Sequence, residues 1–402
     1  MIDFVIGGIA LNDDFFFRRE FIDDLWDSLR KDHVLLVAPR RMGKTSVMYY
    51  MLHNPQNNML PVHLNVEHIN NPGDFFLHLI DAIKEHQQDF FNSTLTKTWK
   101  FLKQVYDTVD NLSLYEFKVT LRKSDDWNRN WKQRGDELIK IIEKSGKPLM
   151  FIIDELPDMI IEMQKEHADQ VIPFLHYFRN IRQKKSTKIR WLVGGSVNIR
   201  GTLEQIGQIK LINDFKIEIL PPFTHGEVEE FVEKMLTERK VQFSEDIILK
   251  MQSLLGTPIP IFLQMFTQEL YRYWRKTGNS LTPEIANTVF NESLLGEVAR
   301  DKLQHNRNRI ELYYPEDQRG PAVKILTEIS KSEHGISKDK ISQLYYQVRE
   351  SRLTEYSEAQ LMKGFDQLLY FLETDFYIEE NPDRLFDFSS RLLKLWWRKN
   401  YA

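Results

Sequence analysis

The stretch that most constrains this chain is Ala38-Pro39-Arg40-Arg41-Met42-Gly43-Lys44-Thr45-Ser46. An apolar run, Val34-Leu35-Leu36-Val37, precedes it, and residues 46–52 read as helix. Strand, glycine loop and helix in that order form the setting of a phosphate-binding P-loop. Backbone N–H groups of the loop and of the helix N-terminus face one point and favour an anion there. Lys44 is expected to reach the β- and γ-phosphates, and the Thr45 hydroxyl to ligate Mg²⁺. Ala38, Pro39, Arg40, Arg41, Met42, Gly43 and Ser46 complete the expected nucleotide-binding loop. Ala38 stands where the pattern G-x-x-x-x-G-K-S/T has its first glycine, which predicts a negative φ there. The competing reading is a chance Gly-Lys-Thr in a surface turn, and the flanking strand and helix argue against it.

The second signal is Leu149-Met150-Phe151-Ile152-Ile153-Asp154-Glu155, an apolar run ending in two carboxylates. Neighbouring side chains on a strand point to opposite faces, but a turn at the strand end lets both reach one site. Asp154 is expected to hold Mg²⁺, directly or through water, and Glu155 to orient or deprotonate the attacking water. A further strand over 188–193 ends in Gly194-Gly195-Ser196. Ser196 is the candidate to touch the γ-phosphate or the lytic water, against the plainer reading of a Gly-Ser turn.

Other elements frame these motifs. Helical spacing of Phe21, Leu25, Trp26 and Leu29 predicts a packing helix before the first strand; the alternative is that its start closes over the nucleotide base. Residues 59–67 predict a second strand, which sets Glu67 either near the ligand or at a solvated strand end. An alternating stretch, 114–121, predicts a strand, and residues 215–220 the last core strand. Arg179 and Arg182 lie on a predicted helix over 171–183, as partner contacts or as an ordinary solvated face.

From Thr224 onwards the patterns are helical to about residue 300, with a break at Gly256-Thr257-Pro258-Ile259-Pro260. This reads as a small helical lid. Residues 306–320 read as a linker with a short helix. Helices over 321–332, 337–346 and 357–371, then a hairpin turning at Glu380-Asn381-Pro382-Asp383, make a winged helix-turn-helix, followed by a last helix over 391–398. The expected organisation is a core over 1–222, a lid over 223–302 and a winged-helix domain over 303–402.

The chain has 402 residues, with 54 basic and 58 acidic side chains and a net charge of −4, which is no electrostatic footprint for nucleic acid or an anionic membrane. The absence of cysteine excludes disulfides, thiolate nucleophiles and Cys-zinc sites. The apolar patch over residues 4–11 is shorter than the roughly 20 residues of a membrane helix, so the expectation is a cytoplasmic protein without membrane contact.

Taken together, residues 38–46, Phe151-Ile152-Ile153-Asp154-Glu155, Leu192-Val193-Gly194-Gly195-Ser196, the residues 220–227 and the Gly256–Pro258 step resemble the AAA+/STAND-like P-loop ATPases of archaea and bacteria. The resemblance spans nearly the whole chain, and Ala38 is a familiar variant in that class. It implies an α/β fold with a three-layer αβα core around a parallel sheet, a helical lid and a winged helix-turn-helix domain. It implies ATP with Mg²⁺ as ligand and phosphoanhydride hydrolysis. By matching position, Ser196 looks like the sensor after the fourth core strand, and Gly256 and Pro258 like the step that ties the lid to the nucleotide.

One feature departs from the class. Its members often carry a Gly-Arg before the last core strand; here the region reads Lys210-Leu211-Ile212-Asn213-Asp214-Phe215-Lys216, with only Arg200 and the two lysines nearby. An arginine finger is worth roughly 10³-fold or more in rate. The expectation is therefore a nucleotide-driven switch with slow ATP hydrolysis, acting on a protein partner or through self-association by lid or winged helix. A DNA-remodelling ATPase resembling origin-recognition-type initiators, and a partner-sensing component of a toxin or defence system, are the alternatives. DNA contact is disfavoured because the recognition helix and hairpin carry Glu358, Asp366, Glu379, Glu380, Asp383 and Asp387.

Overall fold

The computed structural model describes residues 3–11, 14–16, 18–98, 127–184, 188–195, 199–349 and 357–402. The stretch 114–121, expected as a strand, lies outside the described residues. The chain forms two compact units, residues 17–220 and residues 1–16 with 221–402.

In the first unit, α1 (Arg19–Leu29) leads to β1 (His33–Val37), and α2 (Lys44–His53) follows the P-loop. Ile22, rather than Phe21, completes the buried stripe of α1 with Leu25, Trp26 and Leu29. Next come β2 (Leu60–Asn65), α3 (Pro72–His86), α4 (Trp127–Ser145), β3 (Leu149–Asp154), α5 (Leu156–Glu166), α6 (Ala168–Gln183), β4 (Ile189–Gly194), α7 (Ile199–Gln205) and β5 (Phe215–Ile219). Asn71 caps α3 by accepting from the Asp74 N–H at 2.8 Å.

The five strands lie in the order β2-β3-β4-β1-β5, and every neighbouring pair is parallel. Parallel strands covered on both faces read as continuous apolar runs, which is why the sequence displayed them. Leu149, Phe151 and Ile153 of β3 and Ile189, Trp191 and Val193 of β4 join Phe75, Phe76, Phe174 and Phe178 of α3 and α6 in one core. The alternate residues face α1 and α2. Arg190 of β4 donates to Leu29 O at 2.8 Å and Arg30 O at 2.9 Å, closing the C-terminus of α1. The result is the three-layer αβα core, with the carboxyl ends of β1, β3 and β4 side by side.

In the second unit, α8 (His225–Thr237) opens with a capping box between Thr224 and Glu227. The element α9 (Asp246–Leu255) stops at Gly256, whose φ of 69° is free for glycine, and α10 (Pro260–Thr277) begins on a proline. The N-terminal apolar patch docks on α10: the Val5 N–H donates to Gln264 Oε1 at 2.8 Å, and Phe4 stacks on Tyr271 at 6.2 Å. Then come α11 (Pro283–Val289), α12 (Arg300–Tyr313) and α13 (Glu316–Lys331).

The linker expected over 306–320 is instead helix, broken only at Tyr314 and Pro315. Buried Leu303 and Ile310 hold α12 in place, and an Arg307–Glu311 pair at 2.7 Å supports its exposed side. Pro321 is tolerated inside α13 because the carbonyl it leaves without a donor, Asp317 O, accepts from Arg349 at 2.8 Å.

The chain ends with β6 (Ile336–Ser337), α14 (Lys338–Arg349), α15 (Glu358–Thr374), the hairpin β7 (Ile378–Glu380) and β8 (Leu385–Phe388), and α16 (Arg391–Tyr401). The short sheet has the order β6-β8-β7. Asn381 makes the turn, its Oδ1 accepting from the Asp383 N–H at 3.0 Å and the Leu385 N–H at 2.9 Å. The three helices and the hairpin come in the expected order, and the two-residue strand β6 between α13 and α14 was not expected. Among the described residues, no helix is long and apolar enough to cross a membrane.

Candidate functional site

The P-loop leaves β1 at Val37 and enters α2 at Lys44. Gly43 caps the helix with φ 87°, and Arg41 has φ 69°. Ala38 is not among the residues with positive φ, so alanine costs nothing at the position where the pattern has glycine. A Cβ placed on Gly43 would meet nothing within 4 Å, so the loop has open space above it. Arg41 Nε is buried and has no hydrogen-bond partner. Burial, then the charge of Arg40, lowers the Arg41 pKa to about 10, which leaves the guanidinium charged at neutral pH. Open space, an unpartnered cationic donor and a helix N-terminus fit a phosphate group.

Below the loop, Lys44 Nζ binds Asp154 Oδ1 and lies 3.8 Å from Glu155 Oε1. The Thr45 hydroxyl donates to Asp154 Oδ2 at 2.8 Å. Burial alone would raise the Asp154 pKa, but Lys44 and Thr45 outweigh it and hold the carboxyl below the usual range. Glu155 departs from strand geometry with φ 64°, a left-handed conformation that costs a non-glycine residue ~1–2 kcal/mol. That reversal brings the second carboxylate to the same lysine, although strand alternation would send it to the other face. Among the described residues, no group of three or more His, Cys, Asp or Glu side chains could hold a metal. Thr45 and Asp154 offer the small donor set that Mg²⁺ completes with substrate phosphates and water.

The end of β4 closes the site. A Cβ on Gly194 would lie 2.6 Å from Met48 Cε, 3.0 Å from Lys44 Cδ and 3.2 Å from Leu36 O. A Cβ on Gly195 would lie 2.3 Å from Pro157 Cδ and 3.4 Å from Glu155 Oε2. The two glycines, expected only as the end of the strand before Ser196, are what lets α2 and the start of α5 approach the strand. Ser196 lies outside the described residues. Ser46, on the first turn of α2, is buried. Pro258 belongs to the other compact unit, where its carbonyl accepts from the Phe223 N–H at 3.2 Å. Glu67 is exposed, with its N–H donating to Asn65 Oδ1 at 2.9 Å, the solvated strand end of the plainer reading.

His63 on β2 gave no sequence signal. Its ring is 4.5 Å from that of Tyr49 on α2, and its Nε2 is buried without a partner. Burial lowers its pKa to about 4 against the opposing pull of Asp154, so the ring is neutral and Lys44 remains the cation of Asp154.

The cations expected to be available are largely engaged. Arg182 is not a surface contact: it is buried, donates to Asp214 Oδ2 at 2.8 Å and Leu211 O at 2.8 Å, and lies over Phe178 and Phe215. Arg179 stands 3.9 Å from the same aspartate. Lys216 pairs with Glu218 at 2.9 Å, Lys210 is exposed, and Arg200 sits on α7. On α16, Lys394 binds Asp387 at 2.6 Å and Glu333 O at 3.2 Å. Arg398 donates to Ser330 O, and to Ser332 O at 3.0 Å, while Arg391 donates to Ser253 O at 2.7 Å. These side chains cap the C-termini of α13 and α9.

Neither a family model nor a curated protein sequence matches the chain. Among solved structures, it is similar to the Aeropyrum pernix ORC2 protein in its ADPNP–ADP complexes, with 11% identity, 92% of this chain and 87% of that chain covered, and a TM-score of 0.51. The Aeropyrum pernix ORC1 protein in complex with DNA shares 14% identity over 98% of this chain and 96% of that chain at a TM-score of 0.42. The Thermotoga maritima RuvB Holliday junction branch migration motor shares 15% identity over 96% of each chain at 0.39. The likeness to ORC2 shows a shared fold.

Proposed function

We propose that the chain is an ATP- and Mg²⁺-binding P-loop ATPase of the AAA+/STAND-like class, working as a nucleotide-driven switch with slow hydrolysis. The observation that carries this reading is the convergence of Lys44, Thr45, Asp154 and Glu155 from the carboxyl ends of β1 and β3, on either side of β4, under a loop with an unpartnered buried guanidine nitrogen. The ORC2 protein was seen with ADPNP and ADP, which supports an adenine nucleotide.

In this reading, loop N–H groups and Arg41 hold the phosphates and Lys44 turns from Asp154 to the β- and γ-phosphates. Thr45 and Asp154 hold Mg²⁺, which neutralises charge on the phosphate oxygens when bound. Glu155, already turned toward the loop, orients the attacking water and accepts its proton. Ser196, two positions after β4 in the sequence, is the proposed contact for the γ-phosphate or that water. The lid (223–302), through Gly256 and Pro258, and the winged helix (303–402) report the nucleotide state to a protein partner or a second copy.

Direct DNA reading by the winged helix is the weaker alternative, because Lys394 and Arg398 cap a helix of their own domain while the hairpin is acidic. The test is calorimetric binding and turnover of ATP for wild type, Lys44→Ala and Glu155→Gln. Wild type binds; Lys44→Ala binds at least tenfold more weakly; Glu155→Gln binds but does not turn over. A wild type that neither binds nor hydrolyses ATP refutes the reading.

A further inference from the structure

We infer that Arg18 is a positioning residue for the phosphate loop, a role that rests on the nucleotide reading above. The residue precedes α1, where the sequence offered only a packing helix or a cover for the base. Instead its guanidinium donates to Met42 O at 3.1 Å, and the side chain is 6% exposed.

Met42 sits between two residues of positive φ, Arg41 at 69° and Gly43 at 87°. Glycine takes such angles freely, whereas arginine does not. Arg18 itself has φ 105°, so a second backbone outlier lies at the other end of the same hydrogen bond. Backbone in such regions persists only where the surroundings hold it.

What the bond holds follows from peptide geometry. The Met42 carbonyl and the Gly43 N–H belong to one planar trans unit and point in opposite directions. With the carbonyl fixed toward Arg18, the Gly43 N–H is fixed away from it, in a loop open enough at this residue that a Cβ on Gly43 would meet nothing within 4 Å. That N–H is one of the donors that cradle the phosphates shared by ADP and ATP. The cationic guanidinium also strengthens the bond relative to a neutral donor. Arg18 thus orients an anion-binding donor without touching the anion.

The experiment is calorimetric titration of ADP and of ATP with Mg²⁺ into the full chain as wild type, Arg18→Ala, Arg18→Lys, Arg41→Gly and the Arg18→Ala/Arg41→Gly pair. Arg18→Ala is expected to weaken ADP and ATP alike by about tenfold, the scale of one hydrogen bond to a charged group. Arg18→Lys, which keeps a cationic donor, recovers part of the loss. In the Arg41→Gly background the effect of Arg18→Ala falls to about threefold or less, because glycine holds φ 69° unaided. A merely structural role lowers the melting temperature but does not produce this coupling. If Arg18→Ala fails to fold, Arg18→Lys carries the test: affinity unchanged from wild type overturns the inference, and weakened binding at an unchanged melting temperature supports it. Wild-type affinity in Arg18→Ala, or a loss equal in both backgrounds, overturns the role of Arg18 and leaves the nucleotide reading standing. A wild type that binds neither nucleotide overturns both.

Discussion

Gly194→Ala is a one-carbon change that discriminates between a turn glycine and a glycine required by the site. The new Cβ would meet Met48 Cε at 2.6 Å, Lys44 Cδ at 3.0 Å and Leu36 O at 3.2 Å. The methionine methyl is the end of a flexible side chain and can swing away. Leu36 O cannot, because Leu36 is in register with Gly194 between paired strands at the centre of the sheet. The lysine stem must therefore shift, and its ammonium with it. Overpacking of this kind costs ~1–3 kcal/mol. For a unit of this size that is roughly 2–10 °C of melting temperature. Displacing the lysine weakens a hydrogen bond to a charged group, worth ~1.5–3 kcal/mol, so ATP affinity is expected to fall about ten- to hundredfold. The assay pairs thermal unfolding with calorimetric titration of ATP and Mg²⁺, and adds Met48→Ala/Gly194→Ala as a control. The second substitution removes the methyl contact, so the double variant recovers part of the stability and none of the affinity. Wild-type melting and wild-type affinity in Gly194→Ala would falsify the role of β4 as a strand that must carry glycine beside Lys44.

Two further outcomes follow from charges placed inside the fold. His33 Nδ1 accepts from the Trp191 N–H at 3.3 Å, so the neutral ring donates from Nε2 to Arg182 O at 2.9 Å, and burial lowers its pKa to about 4. The folded state thus binds fewer protons than the unfolded chain between about pH 6.5 and pH 4; stability is full above that window and declines as pH falls through it, and His33→Gln should flatten the decline in urea unfolding measured across it. Arg398→Gln removes the cation at the end of α13, so a loss of ~1–2 kcal/mol in unfolding free energy is expected, with no change in retention of duplex DNA at low salt; a selective loss of DNA retention would restore the groove-reading alternative.

The parts of this molecule that were legible in the sequence are those where local pattern and final environment agree. Strands β1, β3 and β4 are buried on both faces, so their apolar runs announced them, and the P-loop announced itself by the turn it must make. The turn at Glu155 was legible in outline: alternation sends Asp154 and Glu155 to opposite faces, the strand end allowed a turn that joins them, and the φ of 64° makes that turn. Gly194 and Gly195 were legible as a strand end but not as spacers, because the atoms they make room for come from α2 and α5, far away in sequence. Arg182 looked like a solvated charge because its partner, Asp214, lies on the far side of β4 in the chain. Residues 306–320 looked like a linker because they are dense in charge, and Pro321 looked like a helix start because its place inside α13 depends on Arg349 from another helix. For the glycines, Arg182 and the α12–α13 region the missing information is a partner at long range.

The arrangement under the loop also explains why Lys44 and Glu155 should behave differently when altered. Lys44 is the cation that outweighs the burial of Asp154, and it stands 3.8 Å from Glu155 as well. Engaging a phosphate therefore means exchanging one partner for another, and Asp154, almost fully buried, needs a second cation once Lys44 turns away. In the proposed reading Mg²⁺ held by Thr45 and Asp154 would meet that need, and phosphate and metal binding would then be linked through a single carboxylate. Removing Lys44 breaks both ends of the exchange and leaves a buried charge alone, which is why Lys44→Ala should lower stability as well as affinity. Glu155 is less buried and its neutral amide isostere leaves the exchange intact. Under the proposed switch, Glu155→Gln would keep the nucleotide but lose the proton acceptor, and so would separate the binding that sets the switch from the hydrolysis that resets it.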